Sequence, residues 1–393
     1  MNKRILLFCI LILGITINGI AQQDSLTVQD GIYNRPFIGN IGQTAVGGYV
    51  EGNTNSFVED GIPEGISFEL RRFNIFLFSN VSEHIRFISE LEFEHGTSEI
   101  ALETALLDFE INPALILRAG ILLPPIGAYN INHDSPQWEF VDRPLVTTGI
   151  IPTTLSEVGA GIHGKLFPGN LTISYDAYLT NGLGDGILLN EEGRTHLASG
   201  KHESQFEEDN NGSPALSARL AVNHHGTGEL GFSYYGNIYN TFEIEGDRVD
   251  AKRYLNIWAL DYNVRVWNAE FKGEMAYADI DVPENLQEVF GGEQWGGHLD
   301  IIVPVWKPRI LSYQEPVVNL NLRLERVDFN VGRFSSTGQR IYDETTAIVP
   351  GISFRPTDDT VFRLNYIRRW NRDLVGNPAA ETAGIQLGFA TYF

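Results

Sequence analysis

The chain has 393 residues and is acidic, with 50 Asp and Glu against 28 Lys and Arg and a formal charge of −22. That balance excludes nucleic acid as a partner, because phosphates would be repelled. Beyond the N-terminal segment no stretch is apolar for long enough to cross a bilayer as a helix, so any membrane signal must reside in strands.

Residues 1–4 (MNKR) are basic and residues 5–17 form one apolar run too short for a comfortable helical span. Gly19 and Ala21 stand three and one positions before Gln22, the small-residue pattern a signal peptidase requires. Residues 1–21 therefore read as a cleaved signal peptide. The sole cysteine, Cys9, leaves with it, so the mature chain meets an oxidising compartment with no disulfide and depends on backbone pairing. Loss of Lys3 and Arg4 moves the balance to 50 against 26, or −24.

Residues 22–42 read as an N-terminal periplasmic arm and residues 43–393 as one outer-membrane barrel domain, since no low-complexity linker or fixed-period repeat divides them. From there a period-2 pattern recurs, apolar at every second position for about ten residues at a time. In IRFISELEFE, Ile85, Phe87, Leu91 and Phe93 oppose Arg86, Glu90, Glu92 and Glu94. In VVNLNLRLE, leucines oppose Asn319, Asn321 and Arg323. The final ETAGIQLGFATYF sets Ala383, Ile385, Leu387, Phe389 and Phe393 against Gly384, Gln386 and Gly388.

Strand centres fall near residues 47, 73, 89, 105, 118, 162, 176, 220, 234, 260, 273, 299, 322, 350, 366 and 387. Short links at 80–83, 112–113, 168–169, 225–227 and 356–358 alternate with long ones at 53–65, 123–156, 182–213, 241–252, 280–292 and 330–343, although 95–97 is brief and 307–315 is long for a turn. Short periplasmic turns alternating with longer external loops produce that rhythm. The expected fold is all-β, a transmembrane antiparallel β-barrel of about 16 strands.

In the second strand Phe68 and Leu70 share parity with Arg72, whereas Phe73, Ile75 and Leu77 share it with Arg71, and a bulge near Arg71 reconciles the two. The 123–156 link holds Pro124, Pro125, Pro136, Pro144 and Pro152 together with Tyr129, Trp138 and Phe140. Restricted backbone with apolar anchors predicts a third external loop folded inward.

Strand parity turns Arg86, Glu90, Glu92, Arg118, Arg219, Asp261, Arg265, Glu270, Lys272, Glu274, Asp300, Arg323, Glu325, Arg363 and Arg369 toward the lumen, and the loop adds Asp134, Glu139, Asp142 and Arg143. An acidic wall from the loop and early strands facing Arg323, Arg363 and Arg369 would create a transverse field. The same charges also serve as the polar lining that any wide barrel needs.

The 182–213 link carries Asp185, Glu191, Glu192, Glu203, Glu207, Glu208 and Asp209 against Arg194 and Lys201. No spacing there completes a calcium loop, so it reads as a solvated acidic surface. His133, His163 and His298 are isolated, His224 and His225 adjoin a turn, and none has a partner at ligand spacing, so no metal or cofactor is assigned. No nucleophile with a positioned base is evident, so no enzyme activity is assigned. Tyr234, Tyr254, Trp258, Trp267, Tyr366 and Trp370 suit interfacial girdles. An aromatic last residue, Phe393, on an alternating strand matches the signal read by the barrel-assembly machinery.

FELRRFNIFLF, LRAGILLPPIGAYN, NINHDSPQWEFVDRPLVTTGIIPTTLSEVGAGIHG, YDAYLTNG and EDNNGSPALSARL together resemble the phosphate-selective porin O and P family. The most specific part is Arg71 and Arg72 followed by Arg118, Gly120, Pro125 and Gly127. The resemblance implies a 16-stranded outer-membrane porin, often a homotrimer, whose third loop narrows the pore and whose lysines and arginine ladder select phosphate. The chain departs from that last feature. Only Lys165 and Lys201 lie between residues 5 and 251, and Arg143 stands among Asp134, Glu139 and Asp142. The expectation is a porin seated in outer-membrane lipid that passes small hydrophilic solutes or ions. The alternative is a plugged or narrow barrel acting as an adhesin or structural membrane protein.

Overall fold

The computed structural model describes residues 27–37, 39–41, 43–201, 206–310 and 315–393. The expected leader, its expected cleavage point and Glu203 lie outside them. Sixteen strands form the wall: β1 (Thr44–Glu59), β2 (Ile62–Asn80), β3 (Ile85–Glu94), β4 (Glu99–Asn112), β5 (Leu115–Leu122), β6 (Glu157–Leu166), β7 (Leu171–Thr180), β8 (Ala215–His224), β9 (Gly228–Ile238), β10 (Tyr254–Val266), β11 (Ala269–Ile280), β12 (Glu293–Trp306), β13 (Val317–Asp328), β14 (Glu344–Thr357), β15 (Thr360–Arg372) and β16 (Ala380–Tyr392). Each pairs antiparallel with the next, and β16 pairs with β1, from Thr382 opposite Glu59 to Tyr392 opposite Tyr49. The sheet is therefore a closed barrel, and every predicted strand centre falls inside a strand.

Burial shows why period 2 yields this architecture. Along β8, Ser217, Arg219 and Asn223 are buried while Leu216, Leu220 and Val222 are exposed. Polar side chains point in and apolar ones point out, the reverse of a soluble protein and the arrangement a bilayer demands. Tyr234, Trp258 and Tyr277 stand at facing positions on β9, β10 and β11 and pack with ring centroids 5.8 and 5.9 Å apart on the outer surface. Among the described residues no helix is long and apolar enough to cross a membrane.

Short turns gather at one end of the barrel, at 81–84, 113–114, 167–170, 225–227, 267–268 and 358–359, together with the longer 307–316 link. The other end carries the 123–156, 181–214, 239–253, 281–292, 329–343 and 373–379 links. The link expected at 53–65 does not exist. β1 and β2 run on past it to an Asp60–Gly61 turn, both residues at positive φ (46° and 85°), as a tight hairpin turn requires. Pro63 and Gly65 made that stretch look like a loop, but a register shift beside Val58 accommodates the proline within the strand. The bulge expected at Arg71 is present, since Glu51 pairs with Arg72 and Gly52 with Leu70.

The closing seam depends on the last residue. The Phe393 backbone N–H donates to the Gly48 carbonyl at 2.9 Å, the Gly48 N–H donates back at 3.1 Å, and the Phe393 ring stacks on Phe73 at 5.5 Å. A Cβ on Gly48 would lie 2.7 Å from that ring and 2.1 Å from the Asn74 carbonyl oxygen, so only glycine fits. Phe393→Ala should cost about 2 kcal/mol of seam packing and lower the folded fraction in a heat-modifiable gel-mobility assay. An unchanged fraction would show that the ring does not hold the seam.

Candidate functional site

The 123–156 segment between β5 and β6 is bound together at its base by Asn130. Its amide nitrogen donates to the Pro124 and Leu155 carbonyls at 2.8 and 3.1 Å, and its amide oxygen accepts from the Leu155 N–H at 2.8 Å. Ile126, Val146, Ile150, Ile151 and Leu155 bury themselves against Tyr235, Leu255, Ile257 and Ala278 of β9, β10 and β11. Trp138 stacks on Tyr129 at 4.2 Å.

Irregular backbone removed from water needs polar partners, and inward side chains supply them. Glu274 accepts from the Tyr129 N–H at 2.6 Å, Glu325 from Leu145 at 2.6 Å and Asn365 from Val141 at 2.8 Å. In return Arg323 donates to the Asp142 carbonyl and Arg363 to the Phe140 carbonyl, both at 2.7 Å.

Most of the predicted lining charges are paired. Arg86 pairs with Glu110, Arg118 with Asp108 at 2.7 Å, Arg219 with Asp261 and Glu229 at 2.6 and 2.9 Å, Arg323 with Asp300 at 2.6 Å, and Arg363 with Glu51 at 3.3 Å. On the acidic side Glu90 and Asp134 share Arg35 at 2.6 and 2.7 Å, Glu92 meets Arg72 at 3.1 Å, Glu139 meets Arg355 at 2.6 Å and Asp142 meets Arg71 at 3.0 Å. The loop carboxylates thus form their ion pairs with Arg35, Arg355 and Arg71, while Arg323 and Arg363 pair with strand carboxylates.

Two cations stand apart. Nε and Nη2 of Arg143 and Nε of Arg369 are buried with no hydrogen-bond partner among the described residues. Both residues line, with Asp142, Arg323 and Glu325, a cavity of about 10 Å³, which holds about one water. Arg265 is exposed near the turn end of β10.

Residues 27–37 of the arm also reach inward-facing groups. The Val28 N–H donates to Glu229 at 3.1 Å, Gln29 donates to Asp176 at 3.0 Å, Tyr33 bridges Asp108 and Arg118, and Arg35 lies 4.0 Å over the Phe76 ring. Asp30 pairs with Lys165; burial alone would raise its carboxyl, but the lysine outweighs that and lowers it.

The lining list lacked Arg35, Glu51, Glu103, Asp108 and Arg355. Strand parity was enough to find Glu51 and Asp108, each alternating with outward residues. Glu103 was hidden by a bulge: Glu90 pairs with Thr104 and Leu91 with Leu102, so Glu103 turns inward beside Thr104. His133, isolated in sequence, meets Glu103 through Nε2 at 3.0 Å. Burial would lower the imidazole's pKa, but Glu103 reverses this and raises it. Sequence spacing assigned no metal ligands, whereas the fold gathers Glu90, Glu103 and His133 with ligand atoms all within 4.8 Å.

A closed sixteen-strand barrel with charged residues inside is the architecture of outer-membrane porins, and solved porins share it. An anion-selective porin from Comamonas acidovorans is 12% identical, with 89% of this chain and 99% of that one covered and a TM-score of 0.54. OmpF of Salmonella typhi, in complex with daunomycin, is 9% identical over 89% and 97%, TM-score 0.54. OprB of Pseudomonas putida is 9% identical over 89% and 94%, TM-score 0.54. At such identities the likeness is one of fold. An uncharacterized protein of Aquifex aeolicus (strain VF5) is 32% identical over 241 residues, 58% of this chain and 51% of that protein, so the chain spans about half the length of that curated relative. No family model matches the chain.

Glu139 fastens the segment to β14, accepting from Arg355 and from the Ser353 hydroxyl. Glu139→Ala strands a largely buried guanidinium at a cost of about 3 kcal/mol. Chymotrypsin should then cut after Phe140 faster than in the unaltered protein, and equal cutting would show that this contact does not hold the segment.

Proposed function

We propose that the chain, after removal of residues 1–21, is an outer-membrane porin whose inward-folded 123–156 loop leaves a narrow passage for small ions and hydrophilic solutes. The inside-out burial of a closed sixteen-strand barrel carries the membrane assignment. Arg143 and Arg369, half-buried at the same cavity without carboxylate ion pairs, are the candidate selectivity groups. In a confined, partly dehydrated path an unneutralised charge acts strongly on passing ions. The sequence resemblance to the phosphate-selective porins, which implies a third loop that narrows the pore, supports placing them there. That resemblance also supports a homotrimer and entry through the barrel-assembly machinery.

One observation favours a second reading. The loop meets β11, β13, β14 and β15 through direct hydrogen bonds and ion pairs, and a neighbouring cavity lined by Trp138, Lys272, Glu274 and His298 measures only about 90 Å³. A plugged barrel with a structural or adhesive role has this character.

Planar-bilayer current under a salt gradient separates the two. A small steady conductance is expected, and Arg143→Gln with Arg369→Gln should move the reversal potential toward cations. Block by added phosphate would extend the reading to phosphate selectivity. Silence in the unaltered protein, with current appearing only after residues 135–142 are removed, would establish the plugged barrel.

A further inference from the structure

We propose that Glu90, Glu103 and His133 form a site for one divalent transition-metal ion, which ties the 123–156 loop to the barrel wall. Glu90 comes from β3, Glu103 from β4 and His133 from the loop, and their relative exposures are 0, 4 and 1%. Ligand atoms around a tetrahedral ion with bonds of about 2.1 Å sit roughly 3.4 Å apart. The set already lies within 4.8 Å, with His133 Nε2 3.0 Å from Glu103, so small side-chain rotations close it.

The histidine is oriented as a ligand. Its Nδ1 lies 3.1 Å from the Asn130 carbonyl oxygen, which only accepts, so Nδ1 carries a proton, and Nε2, 3.0 Å from Glu103, is the nitrogen that would give up its proton to an ion between them. A second-nitrogen bond to a carbonyl is the usual support of a metal-bound imidazole. Asn130 is itself held by Pro124 and Leu155, so the ring is fixed from behind.

Two further observations point to a cation. The bulge in β4 turns Glu103 from the outer face to the interior, and bulges commonly re-aim a side chain at a site. Asn74 is fully buried and donates to Glu90 at 2.6 Å and Glu92 at 3.3 Å, yet its amide oxygen has no partner among the described residues, and neither does the buried hydroxyl of Thr104. Turning the Asn74 amide over presents that oxygen to the cluster.

Local arginines only partly meet this charge. Arg35 divides itself between Glu90 and Asp134, Arg72 is shared by Glu51, Glu92 and Glu94, and Arg143 lies near Glu103 without an ion pair. Arg35 need not leave, since it contacts one oxygen of Glu90 and keeps two bonds to Asp134. One imidazole with two carboxylates suits Zn²⁺, Mn²⁺ or Fe²⁺ better than Ca²⁺ or Mg²⁺.

The test uses the full mature chain folded in detergent, stripped with chelator and titrated with Zn²⁺ by calorimetry, with bound metal counted by mass spectrometry. One ion per chain is expected. His133→Ala and Glu103→Gln should each weaken binding by at least about tenfold, while Glu245→Gln on an exposed hairpin should bind as before. Gel mobility confirms that each variant is folded. X-ray absorption of the unaltered protein decides independently of the variants: an imidazole in the zinc shell supports the site. A shell of oxygens alone, absence of stoichiometric zinc, or folded variants that bind normally would each overturn it.

Discussion

The structure depends on the closure of β16 onto β1. In hydrocarbon no water is available to an unpaired N–H or C=O, so a sheet crosses a membrane only when it has no edges. Closure at Thr382–Glu59 through Tyr392–Tyr49, extended by Phe393 onto Gly48, removes the last edge. The inversion of burial then follows. Outward positions meet lipid and favour leucine, phenylalanine and isoleucine, and the charged and amide side chains are left to the interior.

That interior sets a second requirement, which the strands meet with side chains. The 123–156 segment has little regular structure, so many of its backbone groups need external partners. Glu274, Glu325, Asn365, Arg323 and Arg363 take that part, each on a different turn of the wall's alternation. The same residues that sequence parity marks as pore lining are therefore also the loop's anchors. A charge matched by a neighbouring carboxylate contributes little net field. Pairing of this density leaves the local electrostatics to the few cations without a carboxylate ion pair among the described residues, Arg143 and Arg369 foremost.

Much of this was legible because period 2 is a local code. Each strand announces itself through its own residues, so all sixteen centres could be placed, and the parity of Arg219, Asp300 and Arg323 followed directly. The 123–156 boundaries were legible for the same reason, since strands of clear alternation flank them. The code fails where it is interrupted. Asp60–Gly61 carries the hairpin, but the adjacent proline and glycines concealed the strand beyond it. Arg35 lies in an arm with no periodicity, so nothing local indicates that it reaches Glu90.

The bulges at Arg71 and Glu103 show how informative such interruptions are. At Arg71 the conflict of parity was visible, because apolar residues on both sides of the double arginine disagreed about which face was inside. At Glu103 it was not, since Ala101, Leu102, Ala105 and Leu106 permit either register. Both bulges do the same physical work: they place two consecutive polar residues inward, Arg71 with Arg72 and Glu103 with Thr104, where regular pairing allows one. A barrel wall supplies inward groups at every second position only. A site needing ligands closer together than that must break the ladder, and the broken ladder on β4 lies where His133 descends from the loop.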